Sequence, residues 1–252
     1  MKMTSDNTRW LDRRPAWMAL CALAAVIATT GVLVSAPAAG QKQKQTTGPG
    51  VFVPDKGKLR ILLDGQPVGT EDFEISPSGE GWTAKGSTDV HVPDAGRNRV
   101  SATLELRADG APKSYEWTSQ GEKKNSAHVT FDGGNAKIIL EMEGARPFQQ
   151  ELSYGTPLVV VLDNNLYHHY EILARVYNWE KKGAQTFPVL IPQDMTPGTI
   201  TAQATGSQTV DGKTYEGLRV ATADLEVMLY LDSAHRLMRL DVPAAKVSVL
   251  RE

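Results

Sequence analysis

The sequence predicts a mainly β domain. It reads as an antiparallel meander forming a curved sheet, a half-open barrel or a clam, with one central α-helix packed on it. Three observations carry this reading. Period-two alternation of apolar and polar residues recurs about every ten residues from Leu59 to the end, with turn residues between the runs. One stretch, residues 158–179, departs from that period and turns helical. Few connections are long enough for crossovers, so neighbouring strands are expected to pair antiparallel.

In chain order, Leu59–Leu63 is a strand, Asp64-Gly65 a hairpin turn, and Val68–Ile75 its partner. SPSGEG at 76–81 turns the chain into Trp82–Val92, and PDAGRN at 93–98 is a loop. Val100, Ala102, Leu104 and Leu106 face one side of the next strand, with Ser101, Thr103, Glu105 and Arg107 on the other. Strands at 113–119, 127–131, 136–142 and 148–152 follow. Leu158–Leu162 is continuously apolar, as in a strand buried on both faces or lying under a helix. Leu166, Tyr170, Leu173 and Tyr177 then fall at helical spacing, predicting a helix near 165–179, with Lys181, Lys182 and Gly183 as a basic last turn and stop. Asp163, Asn164 and Asn165 either cap that helix or line the mouth of a cavity. Further strands begin at Thr186 and run through 200–210, 215–221, 226–232, 236–242 and 246–250, for twelve to fifteen in all.

Three segments are expected along the chain. Residues 1–38 place Arg9, Arg13 and Arg14 ahead of an uncharged run that ends in Ser35-Ala36-Pro37-Ala38. That is the pattern of a secretory signal peptide; an uncleaved anchor over residues 16–39 is the alternative. Residues 39–56, with QKQKQTTGPG, read as a flexible linker. Residues 57–252 form a single β-rich domain, long enough to bury a sizeable core. The protein is therefore expected in the periplasm or outside the cell, or held at the inner membrane by its N-terminal segment. The one cysteine, Cys21, lies in that segment, so the domain has no disulfide and no thiolate site. Losing residues 1–38 moves the formal charge from −2 to about −4. With no basic stripe to neutralise phosphates, no nucleic-acid partner is expected.

Signatures of catalysis are absent. No nucleophile elbow, phosphate loop or dinucleotide fingerprint occurs. His168 and Glu171 form H-x-x-E beside His169, but adjacent histidines on one helix point about 100° apart and cannot chelate together. No metal and no cofactor are expected. Carboxylate pairs at Glu141/Glu143 and Glu71/Asp72 read as solvated strand faces.

Two stretches carry a family resemblance: LDGQPVGTEDFEI at 63–75, and VLDNNLYHHY at 161–170 with FPVLIPQ at 187–193 beyond. The closing RLMRLDVP is similar too. The chain resembles bacterial secreted domains of unknown function, which also occur ahead of exported α/β-hydrolases. Such domains look like β-clams or incomplete barrels, similar in outline to the lipoprotein-carrier fold. The resemblance implies a fold and carries no catalytic residue.

The leading expectation is a non-enzymatic binding protein of the cell envelope for an apolar or lipid-like ligand. Tyr167, Tyr170, Leu173 and Tyr177 would wall the cavity between sheet and helix, with His168 and His169 at its rim. A protein-interaction module acting through a sheet edge or face is the second reading. A hydrolase using Asp163, His168 or Glu171 is the third.

Overall fold

The computed structural model describes residues 51–252 apart from 94–95, 122 and 193–194. The signal or anchor segment 1–38, and the linker up to residue 50, lie outside the described residues. Phe52 is already buried and the first strand opens at Asp55, so the packed chain reaches into the last residues of the expected linker.

Among the described residues, fifteen strands form one curved, open sheet around one α-helix. The first eight are β1 (Asp55–Leu63), β2 (Gln66–Ser78), β3 (Gly81–Val92), β4 (Gly96–Arg107), β5 (Pro112–Gln120), β6 (Lys124–Asp132), β7 (Asn135–Met142) and β8 (Phe148–Ser153). The short β9 (Val160–Val161) precedes helix α1 (His168–Val176). Then come β10 (Gln185–Ile191), β11 (Thr196–Val210), β12 (Lys213–Ala221), β13 (Glu226–Leu231), β14 (Leu237–Val242) and β15 (Val247–Arg251).

The spatial order runs from β8 down to β1, then from β15 down to β9. Each half is a meander, and the halves join where the first strand pairs with the last, Leu59 opposite Arg251 and Leu63 opposite Val247. Alternation along the strands puts one face inward; in β5, for example, Tyr115 and Trp117 are buried while Glu116 is exposed.

One pairing departs from the antiparallel expectation: β9 runs parallel to β10, with Val160 opposite Val189. The reason is local, since the connection between them contains α1 and is long enough to reverse the chain twice. The helix itself is shorter than 165–179. Tyr177 turns extended (φ −64°, ψ 132°) and ends it ahead of the lysines, leaving Arg175 as the basic residue of the last turn.

Helix α1 lies inside the curved sheet and is buried from His168 through Ala174. Its C-terminal end is fixed by Tyr177, whose hydroxyl donates to the Gly183 carbonyl (2.8 Å) and accepts from the Ala204 amide on β11 (3.1 Å). Trp179 donates its indole N–H to the Ala174 carbonyl (2.8 Å), closing the last turn.

Candidate functional site

Four charged side chains sit where the period-two and helical patterns call for apolar ones. Asp55, Glu71 and Arg251 lie on the inner face of β1, β2 and β15, and Glu171 lies on the buried helix. A charge in such a place must be paired, hydrogen-bonded or neutralised. All four are, in two clusters that tie the helix to the sheet.

The first cluster holds the helix N-terminus. Tyr167 occupies the N-cap position with no side-chain cap of its own. The Glu71 carboxyl takes that role from β2, accepting the amides of Tyr167 (2.7 Å) and His168 (3.3 Å) and touching His168 Nδ1. Burial pushes Glu71 up to about 8, although the two backbone N–H groups pull the other way. Burial pushes His168 down to about 3, and burial and the neighbouring His168 push His169 down. The proton between Glu71 and His168 therefore belongs to the carboxyl at neutral pH, and the contact is a hydrogen bond between uncharged groups. Beside it, the Thr88 hydroxyl donates to the Asn165 carbonyl (2.7 Å) and fixes the approach to the helix on β3.

Asp163 does not cap the helix. Its carboxylate accepts the Asn165 amide (2.8 Å) and the Tyr115 hydroxyl of β5, while its own amide donates to His169 Nδ1 (3.2 Å). Accepting at Nδ1 puts the proton of neutral His169 on Nε2. The Nε2 atoms of His168 and His169 are buried without a hydrogen-bond partner among the described residues.

The second cluster joins the ends of the described chain. Arg251 grips Asp55 through two hydrogen bonds (2.8 and 2.6 Å), lies 3.6 Å from Glu171 and donates to the Lys56 carbonyl (3.0 Å). Glu171 also accepts the Leu237 amide of β14 (2.8 Å) and Arg175 (3.2 Å). Burial raises Asp55, but the hydrogen bonds from Arg251 and Glu171 hold it below its usual value; burial holds Glu171 up at about 7. Phe73 stands between the clusters, with the Arg251 guanidinium 5.3 Å from its ring centre and the His168 ring stacked 5.6 Å away.

Strand register explains this stacking. One transverse row of inward residues crosses eight strands: Gly57, Phe73, Gly86, Ala102, Trp117, Ala127, Leu140 and Phe148. A Cβ on Gly57 would meet the Arg251 guanidinium at 2.9 Å, and one on Gly86 would meet His168 Cε1 at 2.5 Å. Each glycine is the notch into which a large polar side chain fits. Past Gly86 the row becomes wholly apolar, and it ends at Phe148, 45 % exposed on the edge strand β8. Met142, on the same inward face of β7, is 43 % exposed. Trp117 is 7 % exposed, and its indole N–H has no hydrogen-bond partner among the described residues.

The six residues expected to bind a ligand are all placed in or on α1 and all buried. Leu173 and Tyr177 are packed, and Tyr177 ties the helix to β11. His168 and His169 lie at 0 % exposure in the interior rather than at a rim. Tyr167 and Tyr170 keep 7 and 8 %. The carboxylate pairs divide: Glu71 points inward, while Glu141 accepts from Ser126 and Glu143 from the Lys124 amide at the surface. Among the described residues no group of three or more His, Cys, Asp or Glu is placed to hold a metal ion.

No family model matches the chain. No curated protein matches it either. Among solved structures, it is similar to a beta-barrel-like protein of the domain of unknown function DUF1849 from Brucella abortus, with a TM-score of 0.54 and 13 % identity over 80 % of this chain and 95 % of that one. A DUF1089 family protein from Pseudomonas aeruginosa is matched at a TM-score of 0.43 and 10 % identity, over 81 % and 98 % of the two chains. The first likeness is one of fold alone: a β-rich, barrel-like architecture.

Proposed function

We propose that this chain is an exported, non-enzymatic binding protein of the cell envelope, taking an apolar or lipid-like ligand on the inner face of β5 to β8. The observation that carries the reading is the pair Met142 and Phe148. Both are large, apolar and nearly half exposed, and both sit on the face that the rest of the sheet buries. Exposed apolar side chains that continue a buried apolar row mark a place where another apolar surface belongs. The helix is bound to β2, β11 and β14, and the residues leading into it to β3 and β5, through named hydrogen bonds, so the ligand is assigned to the part of the inner face beyond Trp117.

Export is supported by the positive head, apolar run and small-residue end of residues 1–38. The non-enzymatic reading is supported by the buried titratable groups. Glu71, His168, His169 and Glu171 are fully enclosed, and each is tied to the frame: Glu71 by two helix amides and His168, His169 by the Asp163 amide, and Glu171 by the Leu237 amide and two arginines. That makes them parts of the frame rather than groups facing a substrate. The barrel-like likeness suits a ligand-binding fold.

The test is native mass spectrometry of the full chain purified from its own cell envelope, with lipid extraction of the same sample. A co-purifying lipid near one per chain is expected. A chain that emerges empty and takes up no added acyl lipid overturns the reading. A protein bound at the β8 edge in place of lipid would instead make this an interaction module.

A further inference from the structure

We infer that the inner-face site selects an uncharged acyl lipid, one ester or hydroxyl oxygen of which accepts the indole N–H of Trp117. This inference rests on the ligand reading above and adds the chemistry of the ligand and the residue that reads it.

The geometry begins with an orphaned donor. Trp117 is more than nine-tenths buried, and its Nε1 has no partner among the described residues. A buried N–H left unpaired is costly, so an acceptor supplied from outside the protein would be favoured there. The neighbours of Trp117 on this face are Ala102 and Ala127 across the ladder, and Tyr115 and Ser119 along its own strand. The two alanines are the smallest side chains flanking any aromatic in the apolar half of the row.

The same neighbours set the charge of the ligand. None of the four is ionised. A carboxylate tied to this patch, Asp163, is held by Tyr115, two residues from Trp117. A fatty-acid carboxylate placed at Trp117 would be buried without a counter-charge and close to that like charge, whereas an ester carbonyl or hydroxyl needs only one donor. From Trp117 the row continues through Ala127 and Leu140 to Phe148, three strand spacings or about 14 Å. An acyl tail laid along it would run from the buried donor to the exposed Phe148.

The experiment compares monolauroyl glycerol with laurate at pH 8, by calorimetry and native mass spectrometry on the full chain, in wild type, Trp117→Phe and Phe148→Glu. Wild type is expected to take one monolauroyl glycerol and to bind laurate at least about tenfold more weakly, as an unpaired buried charge demands. Trp117→Phe keeps the aromatic body and removes only the donor, so it should weaken monolauroyl glycerol by about threefold to tenfold without changing the circular dichroism. Phe148→Glu should abolish binding of both probes. Laurate binding as tightly as the glyceride, or an unchanged affinity in Trp117→Phe, overturns the inference even if Phe148→Glu upholds the site. A wild-type chain that takes neither probe removes the ligand reading itself.

Discussion

Glu71 and His168 are 97 positions apart, yet the carboxyl of one caps the helix that the other begins and meets its imidazole in a site closed to solvent. A strand residue thus does the work usually given to a Ser, Asp or Asn just ahead of a helix. The helix N-terminus is consequently a tertiary contact, and its integrity should follow the state of Glu71.

Replacing Glu71 separates capping from charge. Glu71→Ala strands two backbone N–H groups and the His168 ring in a dry site, and should cost about 3 kcal/mol. Glu71→Gln keeps an oxygen for the amides and offers an N–H to His168 Nδ1, matching the protonated carboxyl. It should lie within about 1 kcal/mol of wild type at pH 5 and exceed wild type at pH 8.5, where Glu71 is losing its proton. Urea denaturation at the two pH values checks both.

Stability should peak at about pH 5 to 6. Glu71 and Glu171 are raised by burial to about 8 and about 7, so the folded state keeps protons the unfolded chain has lost. Their contribution is complete below the ordinary carboxyl value and fades as the pH climbs through 7 and 8. His168 and His169 are lowered, His168 to about 3, so the folded state refuses protons the unfolded chain accepts. Their contribution is complete above about 6.5 and fades as the pH falls toward 3. A urea midpoint rising steadily from pH 5 to pH 8.5 would contradict the assignment.

The notch at Gly86 should tolerate no side chain. Its added Cβ would lie 2.5 Å from His168 Cε1 and 2.8 Å from Nδ1, and that ring is stacked on Phe73. Gly86→Ala should destabilise by about 2 kcal/mol or more through overpacking. In a double-mutant cycle with His168→Ala the two losses should be less than additive, because the clash leaves with the ring. Additive losses would place the strain elsewhere.

Arg251 answers two buried carboxyls at once. Arg251→Ala leaves Asp55 and Glu171 without their shared cation, and should cost about 3 to 5 kcal/mol. Arg236, exposed and paired with Asp232, should be replaceable by Ala within about 1 kcal/mol. Thermal melts of the two variants side by side make the comparison.

The strands were legible because their alternation is strong: from β2 to β8, and again from β11 to β15, apolar runs lie inside the observed strands. The helix was legible as an element, but its ends were not. Its start is fixed by Glu71, far away in sequence, and no local caps reveal that. Asp163 looks like a cap by position and serves instead as the partner of Tyr115 and of the Asn165 amide. The buried charges did leave a trace. Glu71 shares a face with Phe73 and Ile75, Asp55 with Leu59 and Ile61, and Arg251 with Val247 and Val249. A charge on the apolar phase of a strand signals a built interior contact. The burial of His168 and His169 had no such trace, since a histidine on an amphipathic helix suits either side. The Trp117 row follows from register alone, which the sequence leaves unspecified until the bulges in β1 and β4 are known.

Because β1 and β15 are neighbours in mid-sheet, the first and last strands lie side by side, with the Glu252 amide donating to the Lys58 carbonyl at 2.9 Å. A partner joined at Glu252 attaches at the waist of the sheet, with seven strands between β15 and the Phe148 edge strand β8. New termini opened at an exposed turn, with the old ones bridged by a short peptide, should give a circular permutant that keeps every strand pairing.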